Sequence, residues 1–108
     1  MNKKSVRKAF RIAVFKRAKY RCEVCGVEGV DRQDKNEGNP LDAHHIGKRE
    51  LMPNGGYVLS NGISLCSTCH LSAEVNIDLP MNEEFSPTSL YKKIGSSYEK
   101  AYKDSEKL

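Results

Sequence analysis

The sequence has no run of apolar residues long enough to cross a bilayer, which takes about 20 in a helix, because charged residues interrupt every apolar stretch. No export signal is expected either: in MNKKSVRKAFRIAVFKRAKYRC, Arg7, Lys8, Arg11, Lys16 and Arg17 break each candidate apolar segment. No membrane partner is expected, and a reducing, cytoplasmic setting is. There is no internal repeat beyond a doubled cysteine pair, and no low-complexity tract. With 108 residues, 38% hydrophobic and 30% charged, the chain supports one small, thin core. A domain of this size gains from a staple such as a metal.

Four cysteines are present, and they form two C-x-x-C pairs, Cys22/Cys25 and Cys66/Cys69. In a reducing compartment, paired spacing points to metal rather than to disulfides. Each knuckle presents two thiolates from a tight turn, so two knuckles close a tetrahedral zinc shell without solvent, which makes the ion structural. Two disulfides or four buried thiols are the plainer alternatives. The segment LCSTCH also fits the C-x-x-C-H attachment pattern of a c-type haem, but that reading requires export and leaves Cys22 and Cys25 unexplained.

Acidic residues are absent from the first 21 positions, which hold nine of the 18 Lys and Arg residues. The remainder holds nine basic against 14 acidic residues, so the net +4 combines +9 with −5. Residues 5–19 have helical character, with Val6, Ala9, Phe10 and Ala13 on one side and Lys8, Lys16 and Lys19 away from it. Ile12 and Phe15 lie off that stripe, and Arg17 lies on it, so Arg17 is expected to have a partner. A basic run is by itself a solvated helix face; a nucleic-acid partner would give it a role.

Further along, residues 26–40 read as a polar loop, 41–46 as a short strand, and Met52-Pro53-Asn54-Gly55-Gly56 as a turn. Residues 57–65 form a second extended stretch broken at Asn61-Gly62, and Ser67 or Thr68 is placed to cap a helix running through Glu74. Leu79-Pro80 ends what precedes it. Ser86-Pro87 begins a helix over residues 88–103, with Leu90, Tyr91, Ile94, Tyr98, Ala101 and Tyr102 on one face despite Gly95.

All three histidines, His44, His45 and His70, fall in or beside the second half of the cysteine framework. Neighbours on a strand point to opposite faces, so His44 and His45 cannot share one role. His70 starts a helix on which Glu74, four residues on, stands above it. This grouping argues for a second metal site.

YRCEVCG (20–26), LDAHHI (41–46) and NGISLCSTCH (61–70) together resemble the zinc-bearing HNH endonucleases of the ββα-metal fold, over about residues 13–75. The resemblance implies that His45 is the general base that activates water, that Asn61 orients its imidazole, and that His70 is a ligand of a catalytic divalent ion. His44 stands where a metal ligand is common in the family. Glu74 stands where some relatives place a histidine, so it is a ligand, an orienting partner of His70, or exposed. Lys48 and Arg49 after the strand, with Lys8, Lys16 and Lys19 on the basic helix, become candidate phosphate contacts.

The expectation is then one small α+β domain. A basic helix (1–21) precedes a zinc-stapled ββα core (22–75), and a C-terminal amphipathic helix (76–108) packs on that core or on a second copy in a homodimer. Its cofactors are structural zinc and a catalytic magnesium, manganese, nickel or zinc ion. Its substrate is double-stranded DNA rather than a small molecule, cut to 5′-phosphate and 3′-hydroxyl ends. A non-catalytic zinc module that binds nucleic acid, or a partner subunit of a nuclease, are the rival classes.

Overall fold

The computed structural model describes residues 2–76 and 82–108. Leu79-Pro80, expected to end a segment, lies outside them. Among the described residues, four helices and a three-stranded sheet make an α+β fold.

Helix α1 spans Lys3–Ala18, two residues earlier than expected, because the Asn2 side chain accepts from Ser5 N at 2.8 Å and caps it. Lys19 and Tyr20 take left-handed backbone angles at its end and turn the chain sharply. This turn corrects the expected stripe. Phe10, Val14 and Phe15 are the buried residues of α1, whereas Ala9 is exposed. Phe15, expected off the apolar side, enters the core because the chain folds back at Tyr20, whose ring stacks on it at 5.7 Å. Arg17 finds its partner: it clamps Glu23 through Nη2 to Oε1 at 2.7 Å and Nε to Oε2 at 3.1 Å, and donates to the carbonyls of Leu59 and Gly62.

The expected loop at 26–40 contains a two-residue strand, β1 (Val30–Asp31), parallel to β2 (Pro40–His45). β2 pairs antiparallel with β3 (Gly62–Cys66), with His44 opposite Ile63 and His45 opposite Gly62. Residues 59–61 form a 3-10 turn, so only the second half of the extended 57–65 stretch is a strand. Gly62 is required by close approach: a Cβ there would lie 2.5 Å from Val14 Cγ2 and 2.6 Å from Phe10 Cζ. Helix α1 thus sits directly over the start of β3.

Helix α2 is Ser67–Val75. Neither Ser67 nor Thr68 caps it. Cys66 holds the cap position without a side-chain bond, and Ser67 Oγ instead accepts from Arg32 Nη2 at 2.6 Å.

The single C-terminal helix expected over 88–103 is two helices, α3 (Pro87–Lys93) and α4 (Tyr98–Glu106). Gly95 breaks it at φ +67°, a left-handed conformation cheap only for glycine, and Ser97 caps the restart by accepting from Lys100 N at 3.1 Å. Leu90, Tyr91 and Ala101 enter the core, but Tyr98 and Tyr102 do not. Both helices belong to the one core, which joins Phe15, Leu41, Ile46, Ile63 and Leu65 to Leu90 and Ala101.

Candidate metal centres and active site

The first knuckle is a backbone turn in which Gly26 N donates to Cys22 O at 2.9 Å and Cys22 N to Val27 O at 2.8 Å. Glu23 N reaches Ser64 O at 2.8 Å, which docks the knuckle on β3. The second pair follows from the strand-to-helix junction, where Cys66 ends β3 and Cys69 lies in the first turn of α2. All four thiols are unbonded, and their sulfurs lie within 4.8 Å of one another. Cys25 Sγ and Cys66 Sγ are 3.7 Å apart. Thiolates about 2.3 Å from one tetrahedral zinc are about 3.8 Å apart, so the cluster has the size that ion needs. Burial opposes ionisation of Cys22, yet the amides of Cys25, Cys66 and Val24 outweigh it and lower the pKa to about 7. Burial, followed by the neighbouring Cys66 and Cys22, pushes the Cys69 thiol well up. A bound dication relieves that conflict by stabilising all four thiolates.

The strand-to-helix junction at Cys66 fixes where α2 begins and so aims the residue after Cys69. His70, Glu74 and, from β2, His44 bring their ligand atoms within 4.8 Å of one another. His70 Nε2 is 3.0 Å from Glu74 Oε1, and His44 Nδ1 is 3.6 Å from the same oxygen. Donors about 2.1 Å from one ion lie at most about 4.2 Å apart, so a small inward shift brings two imidazoles and a carboxylate onto one divalent cation. On its other nitrogen, His70 Nδ1 stands 3.2 Å from Asp42 Oδ2. Arg32 holds Asp42 with two bonds of 2.9 and 3.1 Å. A carboxylate on the far nitrogen is the arrangement that orients a ligating histidine. Asp42 was not among the residues read from sequence, although strand periodicity puts residues 42 and 44 on one face.

His45 points to the other face of β2. Its ring stacks on Phe10 at 4.5 Å and meets Tyr57 edge-on at 4.6 Å. Its Nε2 is buried with no hydrogen-bond partner among the described residues. Burial, then the charges of Arg49 and Arg7, lower its pKa to about 4. His44 is lowered to about 4 as well, by burial first and then by His70. Both imidazoles are therefore neutral near pH 7, the form that binds a metal or accepts a proton.

Asn61 does not hold that ring. It is fully buried, its Oδ1 accepts from Gly47 N at 2.9 Å and Tyr91 Oη at 2.6 Å, and its Nδ2 donates to the carbonyls of Gly47 and Gly56. Two donors and two acceptor sites are all that an amide has. Asn61 instead pins the chain two residues past His45, and its backbone oxygen accepts from Ile46 N at 2.9 Å. Asn61→Ala orphans buried groups at Gly47, Gly56 and Tyr91, each worth about 1–3 kcal/mol. The melting temperature is expected to fall by about ten degrees or more; a fall under about two degrees by circular dichroism would show that those groups find other partners. Tyr91, from α3, was legible as a residue of the helix's apolar face, but nothing local marked it as a partner of Asn61.

Both histidines open on a cleft of about 1160 Å³, which Lys48 and Arg49 also line. Lys8, Lys16 and Lys19 do not: they are exposed on α1 and its cap, and Lys3 and Arg7 line the cleft instead. No helix among the described residues is long and apolar enough to cross a membrane.

Two strands and a helix, joined by paired cysteine knuckles that could hold zinc and carrying two histidines on the first strand and a third on the helix, define a ββα core. Residues 22–74, 53 of the 108, match the family described as HNH endonuclease, so this segment carries an HNH domain. Neither the curated proteins nor the solved structures give a match. The family carries a nuclease-type function with a nucleic-acid substrate.

Proposed function

We propose that the protein is an endonuclease that hydrolyses DNA phosphodiester bonds with one divalent ion and His45 as general base, leaving 5′-phosphate and 3′-hydroxyl ends. The observation that carries this reading is the division of labour across β2. His44 faces His70 and Glu74, while His45 presents a neutral ring with an unpaired nitrogen. A buried nitrogen without a partner is costly, and its persistence beside a cleft is expected where water or substrate completes it.

His44, His70 and Glu74 would hold the catalytic ion, which when bound supplies positive charge to the phosphate oxygens as negative charge builds there. His45 takes the proton of the attacking water. Phe10 and Tyr57 keep its ring from rotating, and Asn61 fixes the backbone that carries it. Asp42, held by Arg32, orients His70. Lys48 and Arg49 contact the phosphate backbone at the edge of the cleft.

Purified protein given supercoiled plasmid is expected to nick or linearise it only when magnesium, manganese, nickel or zinc is added, and the ends are expected to be ligatable. Plasmid that is bound but never cut with any of these ions would reduce the protein to a nucleic-acid-binding zinc module.

A further inference from the structure

Three groups from separate parts of the chain meet on the His45 side of β2. Arg7 of α1 donates from Nε to Tyr57 Oη at 3.2 Å, and Arg49, in a 3-10 turn, donates from Nη1 to the same oxygen at 2.9 Å. The other arginines that cross between elements are neutralised: Arg11 by Asp31, Arg17 by Glu23 and Arg32 by Asp42. Arg7 and Arg49 form no ion pair with a carboxylate among the described residues, not even with Glu50, which lines the same cleft. Two like charges are held together by a neutral phenol, an arrangement that favours a bound anion.

The donor count points the same way. A phenol oxygen accepts through its lone pairs and donates once; with both guanidiniums on its lone pairs, the O–H of Tyr57 is left to donate. Each guanidinium uses one of five N–H groups on Tyr57. Burial works to raise the Tyr57 pKa, but the bonds and charges of Arg49 and Arg7 outweigh it and lower it, which makes the O–H a stronger donor. Lys3 and Lys48 line the same cleft. The result is a set of donors with planar, fork-shaped geometry, suited to phosphate.

We propose that Arg7, Arg49 and Tyr57 form a cradle for a backbone phosphate of the bound strand, next to the one that is cut. This rests on the nuclease reading for the substrate. The cradle residues line one cleft with His44, His45, His70 and Glu74; the phosphate to be cut has to lie between those ion ligands and His45, so a phosphate on the cradle, beyond His45 where Tyr57 packs, is a neighbour. The cradle sets the register of the strand over His45. It also brings Arg7, which lies outside the segment matching the family, into the substrate site.

The test measures binding without requiring chemistry. A short phosphorothioate duplex is titrated by fluorescence anisotropy over a range of salt, with no divalent ion added. Arg7→Gln and Arg49→Gln are each expected to flatten the slope of log affinity against log salt by about 0.9, the change for one lost phosphate contact. Tyr57→Phe is expected to weaken binding about three- to tenfold with the slope unchanged, since it removes a hydrogen bond and no charge. Lys92→Gln, exposed on α3 and away from the cleft, serves as the charge control and leaves the slope as it is. Melting curves taken for each variant ensure that folded protein is compared. Unchanged slopes in both arginine variants, or an equal flattening by Lys92→Gln, would overturn the cradle. Cleavage of plasmid with unchanged slopes sinks the cradle alone; cradle-dependent slopes with no cleavage by any ion sink the hydrolytic reading and leave the cradle in place.

Discussion

Removing the metal from the four-cysteine cluster is expected to unfold the domain cooperatively. A structural zinc contributes about 10–16 kcal/mol in small domains, comparable with the whole stability of about 5–15 kcal/mol that folded domains show. The first knuckle lies in a loop held by Glu23 N to Ser64 O and by Arg17 on Glu23, while the second is the hinge between β3 and α2. Without the cation, sulfurs as close as the 3.7 Å between Cys25 and Cys66 repel one another once ionised, and Cys22, with its pKa near 7, ionises readily. Elemental analysis is expected to give one zinc per chain. Chelation or Cys66→Ser is expected to abolish the thermal transition. Protein that contains no zinc, or whose melting curve survives both treatments, would rule out a metal staple. Because Cys66 and Cys69 set the start of α2, a partly metal-depleted sample should also lose the second metal site, since His70 is the next residue and Glu74 lies one turn on.

What the sequence made legible was local. Both knuckles, the opposed directions of His44 and His45, the spacing of His70 and Glu74, and the Ser86-Pro87 start of α3 each depend on neighbours within a few positions. Arg17 was readable as a cation on an apolar side that required a partner. The misses share a different character. Asn61 looked like a partner for an imidazole, but its bonds go to Gly47, Gly56 and Tyr91, up to 30 residues away, and no local pattern announces them. The face expected over 88–103 treated Gly95 as a tolerated helical residue, whereas a glycine followed by Ser97 offers both a stop and a new cap. Lys8, Lys16 and Lys19 were read from their charge and from lying away from the apolar stripe, which cannot say which side of a helix faces the cleft; Lys3 and Arg7 line it instead. Phe15 was placed outside by a single-stripe reading, while the turn at Tyr20 wraps the core around two sides of α1.

The two neighbouring histidines are expected to fail in different ways. On the proposed roles, replacing His45 by Ala would remove the proton acceptor and should lower cleavage by about a hundredfold or more, the usual size of a lost general base. The ion should still bind, because His44, His70 and Glu74 lie on the other side of β2 and are untouched. Replacing His44 or His70 would instead remove one of the three proposed ligands, so affinity for the ion is expected to fall by about ten- to a hundredfold, with added metal restoring part of the rate. Asp42→Asn should resemble the His70 variant in weaker form, since it loosens the carboxylate 3.2 Å from His70 Nδ1 without taking away a ligand. A metal titration of cleavage, paired with calorimetric binding of manganese to each variant, separates these outcomes. If His45→Ala loses metal affinity and His44→Ala keeps it, the two roles are exchanged. If neither substitution changes cleavage, hydrolysis does not pass through β2 at all.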